Sequence, residues 1–277
     1  GGWIDQGGSS DNLSRWLDQA NATMLAKAKE LMLFNFAVLV DSPALPPLGQ
    51  QFYRIDEIVG KCGNPVGVAA WEPFDADGED QLYNYLGQCG LAVEPSPYFN
   101  DKAPTVLLTQ SSACEPDAME KLEKYVRQGG NAVVTVGFVH ETYDKGIKDM
   151  TSVRLTHRHV LSNEFMVSNM NYLQMEVERS DDPILFEVLD YKTNATHSDI
   201  TILAGEDNFP MMTEDNYGKG RLFILNVPEN FADLYKLPKS VVRAFNKHLS
   251  MGQRVFVAAH PQVHFFAYDN NVYGIQC

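Results

Sequence analysis

Residues 105–138 constrain the fold more than any other part of the chain. They begin with the short apolar run 105–109 and continue with a segment, residues 115–128, whose apolar side chains recur at spacings of three and four. A Gly-Gly pair follows directly, as expected where a helix ends, and a second apolar run occupies residues 131–136. A strand, a crossover helix and a strand of these lengths predict a right-handed βαβ unit, and therefore a parallel sheet.

Further elements are predicted on both sides of this unit. Residues 65–71 are a first strand, 79–89 a helix and 91–94 a second strand, so the βαβ unit supplies strands three and four of a doubly wound sheet. From residue 153 the pattern alternates between apolar and polar residues, which predicts added antiparallel strands. The other predicted elements are a hairpin around Tyr217, Gly218 and Gly220, a helix over residues 232–249, a strand over 254–259 and a short alternating segment after it.

The first residues form a separate pattern. Asp11 is placed to cap a helix, and the apolar run 31–36 follows it as a buried strand. Only the few residues around Trp3 and Ile4 could be a preceding strand, so the pattern predicts a βαβ piece whose first strand is nearly cut off. A Pro-rich loop, DSPALPPLG, then leads to a second helix over residues 50–61.

Charge and composition exclude two classes of partner. The chain has 36 acidic and 22 basic residues and a formal net charge of −14, which argues against nucleic acid and against an anionic membrane surface. No apolar run reaches the roughly 18 residues of a membrane span. The start, GGWIDQGG, has neither the basic region nor the apolar core of a signal peptide, so it is not one. A signal peptide could have been removed before this start, so the compartment stays open. The four cysteines show no CxxC spacing and are interpreted as ordinary thiols rather than a disulfide or a metal site.

Three segments carry a resemblance to a known family. Residues 15–36, RWLDQANATMLAKAKELMLFNF, resemble the last helix and strand of the catalytic TIM barrel in bacterial β-galactosidases of glycoside hydrolase family 42. YVRQGGNAVVT at residues 125–135 and YGKGRLFILNVPE at 217–229 are similar to parts of the domain that follows the barrel in those enzymes. That domain is of the class I glutamine-amidotransferase type and mediates trimerisation, and a small β domain comes after it.

The resemblance implies a fold class and a domain order. The fold expected from it is α/β, with an amidotransferase-like (flavodoxin-like) parallel sheet that carries inserted antiparallel strands. Residues 1–62 would be the end of a barrel-like element, 63–250 the amidotransferase-like domain and 251–277 the start of a small β domain. The function implied is that of a non-catalytic part of a carbohydrate-active hydrolase, which supports homo-oligomerisation and lines the active site, with carbohydrate as the partner.

Substrate-binding candidates follow from the same resemblance. A retaining glycosidase needs two carboxylates about 5 Å apart, and in the resembling enzymes these are glutamates on barrel strands before or at the start of this chain. Trp3, Asp5 and Gln6 are therefore candidate substrate-side residues, and Asn35 would point toward a barrel active site. Glu72 follows the first strand of the sheet, at the carboxyl edge where α/β proteins bind ligands. The alternatives are simple packing for Trp3, solvation for the two acids and a structural hydrogen-bonding role for Asn35, and no catalytic residue is predicted.

The alternative function is a free-standing amidotransferase-like hydrolase or a small-ligand binding protein that uses the sheet edge at Glu72 and Gln110. The hydrolase would need a nucleophilic cysteine on a tight, glycine-flanked turn. Cys114 has no flanking glycine, and the adjacent Glu115 would raise rather than lower the thiol pKa. A degenerate, non-catalytic domain is the better interpretation.

No metal or cofactor is predicted. Residues 75–80 open like a calcium loop but lack its remaining ligands, which favours a turn and a helix cap. His157 and His159 alternate on a strand and would share one face, but no third ligand lies near them in sequence. His260 and His264 have no better partners, so an exposed strand face is the expectation.

Overall fold

The computed structural model describes residues 2–5, 13–34, 37, 40, 42–168, 175–253, 255–258 and 261–276. The chain divides into two compact units, one of Gly1–Val66 with His264–Cys277 and one of Gly67–Val263. Among the described residues, no helix is both long and apolar enough to cross a membrane.

The regular elements are numbered in chain order. The strands are β1 (Gly2–Asp5), β2 (Leu31–Phe34), β3 (Val68–Trp71), β4 (Val93–Ser96), β5 (Thr105–Leu108), β6 (Asn131–Thr135), β7 (Arg154–Ser168), β8 (Met175–Asp190), β9 (His197–Ala204), β10 (Asp207–Tyr217), β11 (Gly220–Leu225), β12 (His264–Ala267) and β13 (Tyr273–Gln276). The helices are α1 (Leu13–Leu25), α2 (Leu45–Val59), α3 (Leu82–Gly87), α4 (Ala118–Gln128), α5 (Val136–Thr142) and α6 (Lys239–Leu249).

The first unit contains a small parallel pair and two packed helices. β1 pairs in parallel with β2, as a βαβ piece with a very short first strand requires. α1 and α2 bury a compact apolar cluster of Trp16, Ala20, Ala44, Leu48 and Ile55. The β12–β13 hairpin belongs to this unit, and Tyr268 Oη donates a hydrogen bond to the carbonyl of Leu25 at 2.5 Å.

The second unit is built on one mixed sheet of nine strands in the order β4-β3-β5-β6-β11-β10-β9-β7-β8. Neighbours from β4 to β11 pair in parallel, and the pairs from β11 to β8 are antiparallel. This confirms the predicted α/β sheet with added antiparallel strands. The 105–138 unit, as predicted, supplies the neighbouring strands β5 and β6 and the helix α4 between them.

Side chains alternate between the two faces of the sheet. On β5, Leu107 packs with the cluster that α3 and α6 cover, whereas Val106 and Leu108 pack with the cluster that α4 and α5 cover. The same alternation holds along β6 and β11. Because both faces are covered, the strands are apolar throughout and not only at every second residue.

Glycines end α4 as the sequence predicts. Gly129 caps the helix at φ 114°, a left-handed conformation that glycine adopts without strain. A Cβ at Gly130 would lie 2.3 Å from ring atoms of Tyr125, so this glycine lets the helix end pack on its own tyrosine.

Three predicted boundaries were wrong. α2 begins at Leu45, five residues earlier than expected, because the first turn of a helix tolerates Pro46 and Pro47, which have no N–H to donate. The predicted helix over residues 232–249 is a 3₁₀ segment, Phe231–Lys236, followed by α6, since Pro238 separates them. The described residues 255–258 form no strand, because an apolar run needs a neighbouring strand to pair with. Asp11 and Phe36 lie outside the described residues.

Candidate functional site

A cavity of about 470 Å³ opens at the carboxyl edge of the parallel strands. It is lined by residues that come at or just after the ends of three strands, which are Gln110 two residues after β5, Val136 after β6 and Asn226 after β11. Ligands of open α/β sheets bind at this edge, because the loops after the strands converge there. The full lining comprises Asp77, Gly78, Glu79, Asp80, Gln110, Val136, Gly137, His140, Glu187, Asn226, Val227, Pro228, Glu229 and Phe231.

Glu79 is the most constrained carboxylate of this cavity. Its Oε2 accepts hydrogen bonds from the backbone N–H of Gln110, at 2.7 Å, and from the Thr135 hydroxyl. Burial raises the pKa of Glu79, while these bonds, the backbone of Gly137 and nearby His140 oppose the rise. Glu79 itself has a left-handed φ of 46°, a costly conformation for a residue with a side chain.

Glycine at position 137 makes room for that carboxylate. A Cβ at Gly137 would lie 2.5 Å from the carboxylate carbon of Glu79 and 3.0 Å from Cβ of Gln110. The close approach places Glu79 over the start of α5, where the helix still has unpaired N–H groups. The carboxylate thus joins the turn before α3 to the loops after β5 and β6.

His140, Glu187 and His157 form a second cluster that reaches this cavity. His140, in the last turn of α5, is hydrogen-bonded through Nε2 to Oε2 of Glu187 on β8 at 2.6 Å. The rings of His140 and His157 lie 5.6 Å apart, and one ligand atom from each of the three residues lies within 4.8 Å of the others. Sequence spacing could not reveal this cluster, because its members come from α5, β7 and β8.

A β-bulge on β7 places His157. The pairing with β8 shifts between Leu155 and Arg158, and His157 has φ 55° within this irregularity. His159, which is paired in register with Glu187, instead bonds through Nε2 to Oε1 of Glu229 at 2.9 Å. No third ligand lies near the β7 histidines in sequence, but the fold brings His157 close to two potential co-ligands from distant segments, His140 and Glu187.

Of the five substrate-binding candidates, the described structure includes the side chain of Glu72 alone. Trp3 and Asp5 lie on β1, and their side chains are outside what the structure describes; Gln6 and Asn35 lie outside the described residues altogether. Glu72 does follow β3 at the carboxyl edge, where its Oε1 accepts a hydrogen bond from Tyr83 Oη at 3.0 Å. Burial of Tyr83, together with this hydrogen bond to Glu72, raises the pKa of Tyr83 to about 12.

Cys114 has none of the features of an activated nucleophile. It lies in a 3₁₀ segment, Gln110–Cys114, and its exposed thiol donates to the carbonyl of Ser111 at 3.1 Å. Desolvation raises the pKa of Cys114, and Glu115 and two further acids raise it more.

Two other cavities lie in the same unit. A cleft of about 560 Å³ is lined by aromatic residues, among them Trp71 and the edge-to-face pair Phe74 and Tyr98, whose exposed fractions are 79% and 71%. A cleft of about 730 Å³ contains the group Asp199, Glu214 and His248.

Burial shifts the pKa values of Asp199 and His248 in the 730 Å³ cleft. It raises the pKa of Asp199 to about 6 and lowers that of His248 to about 4. The two side chains lie 3.6 Å apart.

Comparisons with known proteins relate the chain to glycosyl hydrolases. A family model described as "Probable glycosyl hydrolase, catalytic domain" matches residues 1–59. Another, described as "Uncharacterized protein SSO3021, second domain", matches residues 63–230. A comparison with curated protein sequences gave no match.

Solved structures confirm the resemblance in fold to family 42 β-galactosidases. Gan42B, a GH42 β-galactosidase from G. stearothermophilus, aligns with a TM-score of 0.55 and 12% identity over 91% of this chain and 43% of its own. For the cold-adapted β-galactosidase from Rahnella sp. R3 the TM-score is 0.53 and the identity 13%, over 93% of this chain and 45% of that one. The chain thus spans less than half the length of these enzymes.

The match to the second-domain model runs from before β3 to just after β11. It therefore contains the parallel part of the sheet and every residue that lines the cavity at its carboxyl edge except Phe231. It covers more than half of the chain. By this match, the chain belongs to the family of the second domain of protein SSO3021.

Proposed function

We propose that this chain is the non-catalytic region of a glycoside hydrolase of the β-galactosidase type, which supports homo-oligomerisation and lines a carbohydrate-binding active site. The observation that carries the proposal is the fold similarity to GH42 β-galactosidases over 91% of the chain, joined to the catalytic-domain match at residues 1–59. In this proposal residues 1–62 are the end of a barrel-like element and residues 251–277 the start of a small β domain. Trp3, Asp5, Gln6 and Asn35 lie on the substrate side.

We further propose that residues 63–250 are a degenerate domain of the class I glutamine-amidotransferase type. The parallel strand order β4-β3-β5-β6-β11 supports this, because numbered along the chain it is the flavodoxin-like order 2-1-3-4-5. The raised thiol pKa of Cys114 supports the loss of amidotransferase chemistry. Selective reaction of Cys114 with iodoacetamide at neutral pH, with Cys62 unreacted as the internal control, would contradict the degenerate domain.

Hydrolysis of nitrophenyl glycosides tests the main proposal. This chain should show no turnover, whereas a form extended upstream by a barrel that carries two glutamates should hydrolyse the β-galactoside. Sedimentation equilibrium at several concentrations should show self-association of the present chain. Turnover by this chain alone would contradict the non-catalytic role, and a monomer at all concentrations would contradict the oligomeric one.

A second candidate function is small-ligand binding at the carboxyl edge of the sheet. The 470 Å³ cavity favours it, since Gln110 lines this cavity and its Nε2 lies 3.3 Å from Oε1 of Glu141. Thermal-shift screening of mono- and disaccharides should then give a ligand whose stabilisation is lost in Gln110→Ala. The matched control is Gln128→Ala at the aromatic cleft, which should keep the response. Equal loss in both variants would contradict binding at the edge.

A further inference from the structure

The cluster of His140, Glu187 and His157 has the composition of a metal site. Two imidazoles and one carboxylate, each offering one ligand atom within 4.8 Å of the others, are the donors that Zn²⁺ takes in sites with three protein ligands and an open fourth position. The three residues come from α5, β7 and β8, so packing of separate elements positions them. Both histidines are exposed, which leaves the cluster accessible from solution.

The buried carboxylate is an independent observation that points to a ligand. The side chain of Glu187 is only 9% exposed, yet its Oε1 has no hydrogen-bond partner among the described residues. A carboxylate oxygen without a hydrogen-bond partner is costly when it is buried, and a coordinated cation would remove that cost. Asn226 Nδ2 donates to the backbone carbonyl of Glu187 at 2.7 Å and so holds the residue in place.

The charge around the cluster also favours a cation. The adjoining cavity is lined by Asp77, Glu79, Asp80, Glu187 and Glu229, and no lysine or arginine is among its described lining residues. The group of Asp199, Glu214 and His248, the second such cluster found among the described residues, differs in this respect. Its Glu214 carboxylate lies 3.3 Å from the guanidinium of Arg221, and Arg243 and Lys247 line the same cleft. That group already has cationic neighbours.

We propose that His140, His157 and Glu187 bind one divalent transition-metal ion, with Zn²⁺ as the best-fitting class. The two imidazoles supply nitrogen and Glu187 supplies Oε1, while the fourth position faces the cavity for water or a small ligand. Coordination replaces the hydrogen bond between His140 and Glu187. An imidazole binds a metal ion through a nitrogen that carries no proton. The site is independent of the proposed glycoside hydrolase role.

Isothermal titration of the full chain with Zn²⁺ tests the proposal. One ion should bind per chain, and His140→Ala or His157→Ala should weaken binding more than about 100-fold, since loss of even an outer-shell partner costs about 10- to 100-fold. His159→Ala is the matched control, because this exposed histidine lies on the same strand and pairs with Glu229. It should leave both affinity and stoichiometry unchanged.

A second readout separates coordination from misfolding. Co²⁺ in the wild-type chain should give the intense d–d absorption of a four-coordinate site, and Zn²⁺ should raise its Tm but not that of His157→Ala. Circular dichroism should show that His140→Ala and His157→Ala keep the fold. Absence of Zn²⁺ binding by the folded wild type would overturn the proposal. Unchanged binding in His157→Ala, or loss in Asp199→Asn at the other group, would overturn it as well.

Discussion

At the scale of single residues, Glu79 shows how one carboxylate can join three loops. Its partners are the N–H of Gln110, the hydroxyl of Thr135 and the backbone of Gly137. The arrangement depends on the absence of a side chain at position 137, because a Cβ there would overlap the carboxylate.

Gly137→Ala should therefore destabilise the protein by about 1 to 3 kcal/mol, the usual cost of forcing extra volume into a packed site. Denaturant unfolding would measure the change. Gly87→Ala is the matched control, since a Cβ at this helical position meets nothing within 4 Å. This control should be neutral or slightly stabilising, because alanine favours helix over glycine. Equal stability of Gly137→Ala and wild type would show that Glu79 can move without cost.

Glu94 makes stability depend on pH. Burial on β4 raises its pKa from 4.5 to about 7 in the folded protein, so the folded state binds the proton more tightly than the unfolded state. Its contribution to the free energy of unfolding is therefore largest below pH 4.5 and falls as pH rises toward 7. Glu94→Gln should raise Tm at pH 8 and flatten this dependence. Exposed Glu206→Gln is the control, and a Glu94→Gln profile parallel to wild type would contradict the expectation.

Sequence patterns located some of these residues but could not bring them together. Gln110 and Glu72 were placed at the carboxyl edge, because the end of an apolar strand is visible in the sequence. Glu79 was expected only to belong to a turn and helix, since a left-handed φ at a glutamate has no local signature. His140 and Glu187 meet only because β8 is folded back to its place in the sheet, which depends on long-range pairing.

At the scale of elements, the antiparallel strands are joined by a buried polar group. Asp215 on β10 is 5% exposed and accepts hydrogen bonds from Thr196 Oγ1 at 2.6 Å and from Thr151 Oγ1 at 2.7 Å. Burial raises the pKa of Asp215, and the two threonines and the backbone of Ser152 oppose the rise. This carboxylate thus connects β10 to the segments before β7 and β9.

Asp215→Ala should lower the free energy of unfolding by about 2 to 4 kcal/mol, because it removes the acceptor of the buried Thr196 hydroxyl and of the half-buried Thr151 hydroxyl. Asp215→Asn keeps one acceptor oxygen, so its free energy of unfolding should fall less than that of Asp215→Ala. Chemical denaturation of both variants would measure the difference. An alanine variant as stable as wild type would contradict this expectation and would show that the two threonine hydroxyls find other partners.

Element prediction succeeded for the central strands that are apolar on both faces. It failed at two helices and at the apolar run whose described residues 255–258 form no strand. β5, β6 and β11 are short apolar runs with no helical period, and the structure confirms them. α2 and the segment before α6 were misplaced because proline ends some helices and begins others, and the choice depends on tertiary packing.

At the scale of the whole molecule, the second unit holds the cavity and nearly all of the match to the second-domain model, and α6 completes the unit. Val241, Val242, Phe245 and Leu249 of α6 are fully buried in the core cluster on one face of the sheet. The family match ends at residue 230, before this helix begins.

The position of α6 decides where the domain can be cut for transfer to another protein. Burial of each large apolar side chain is worth about 1.5 to 3 kcal/mol, so removal of α6 would cost about as much as the whole stability of a typical domain. A fragment of residues 67–263 should unfold cooperatively, whereas one of residues 67–230 should aggregate or stay unfolded. Circular dichroism melting would compare the two, and a cooperative melt of the shorter fragment would show that the portable unit is smaller than the packing indicates.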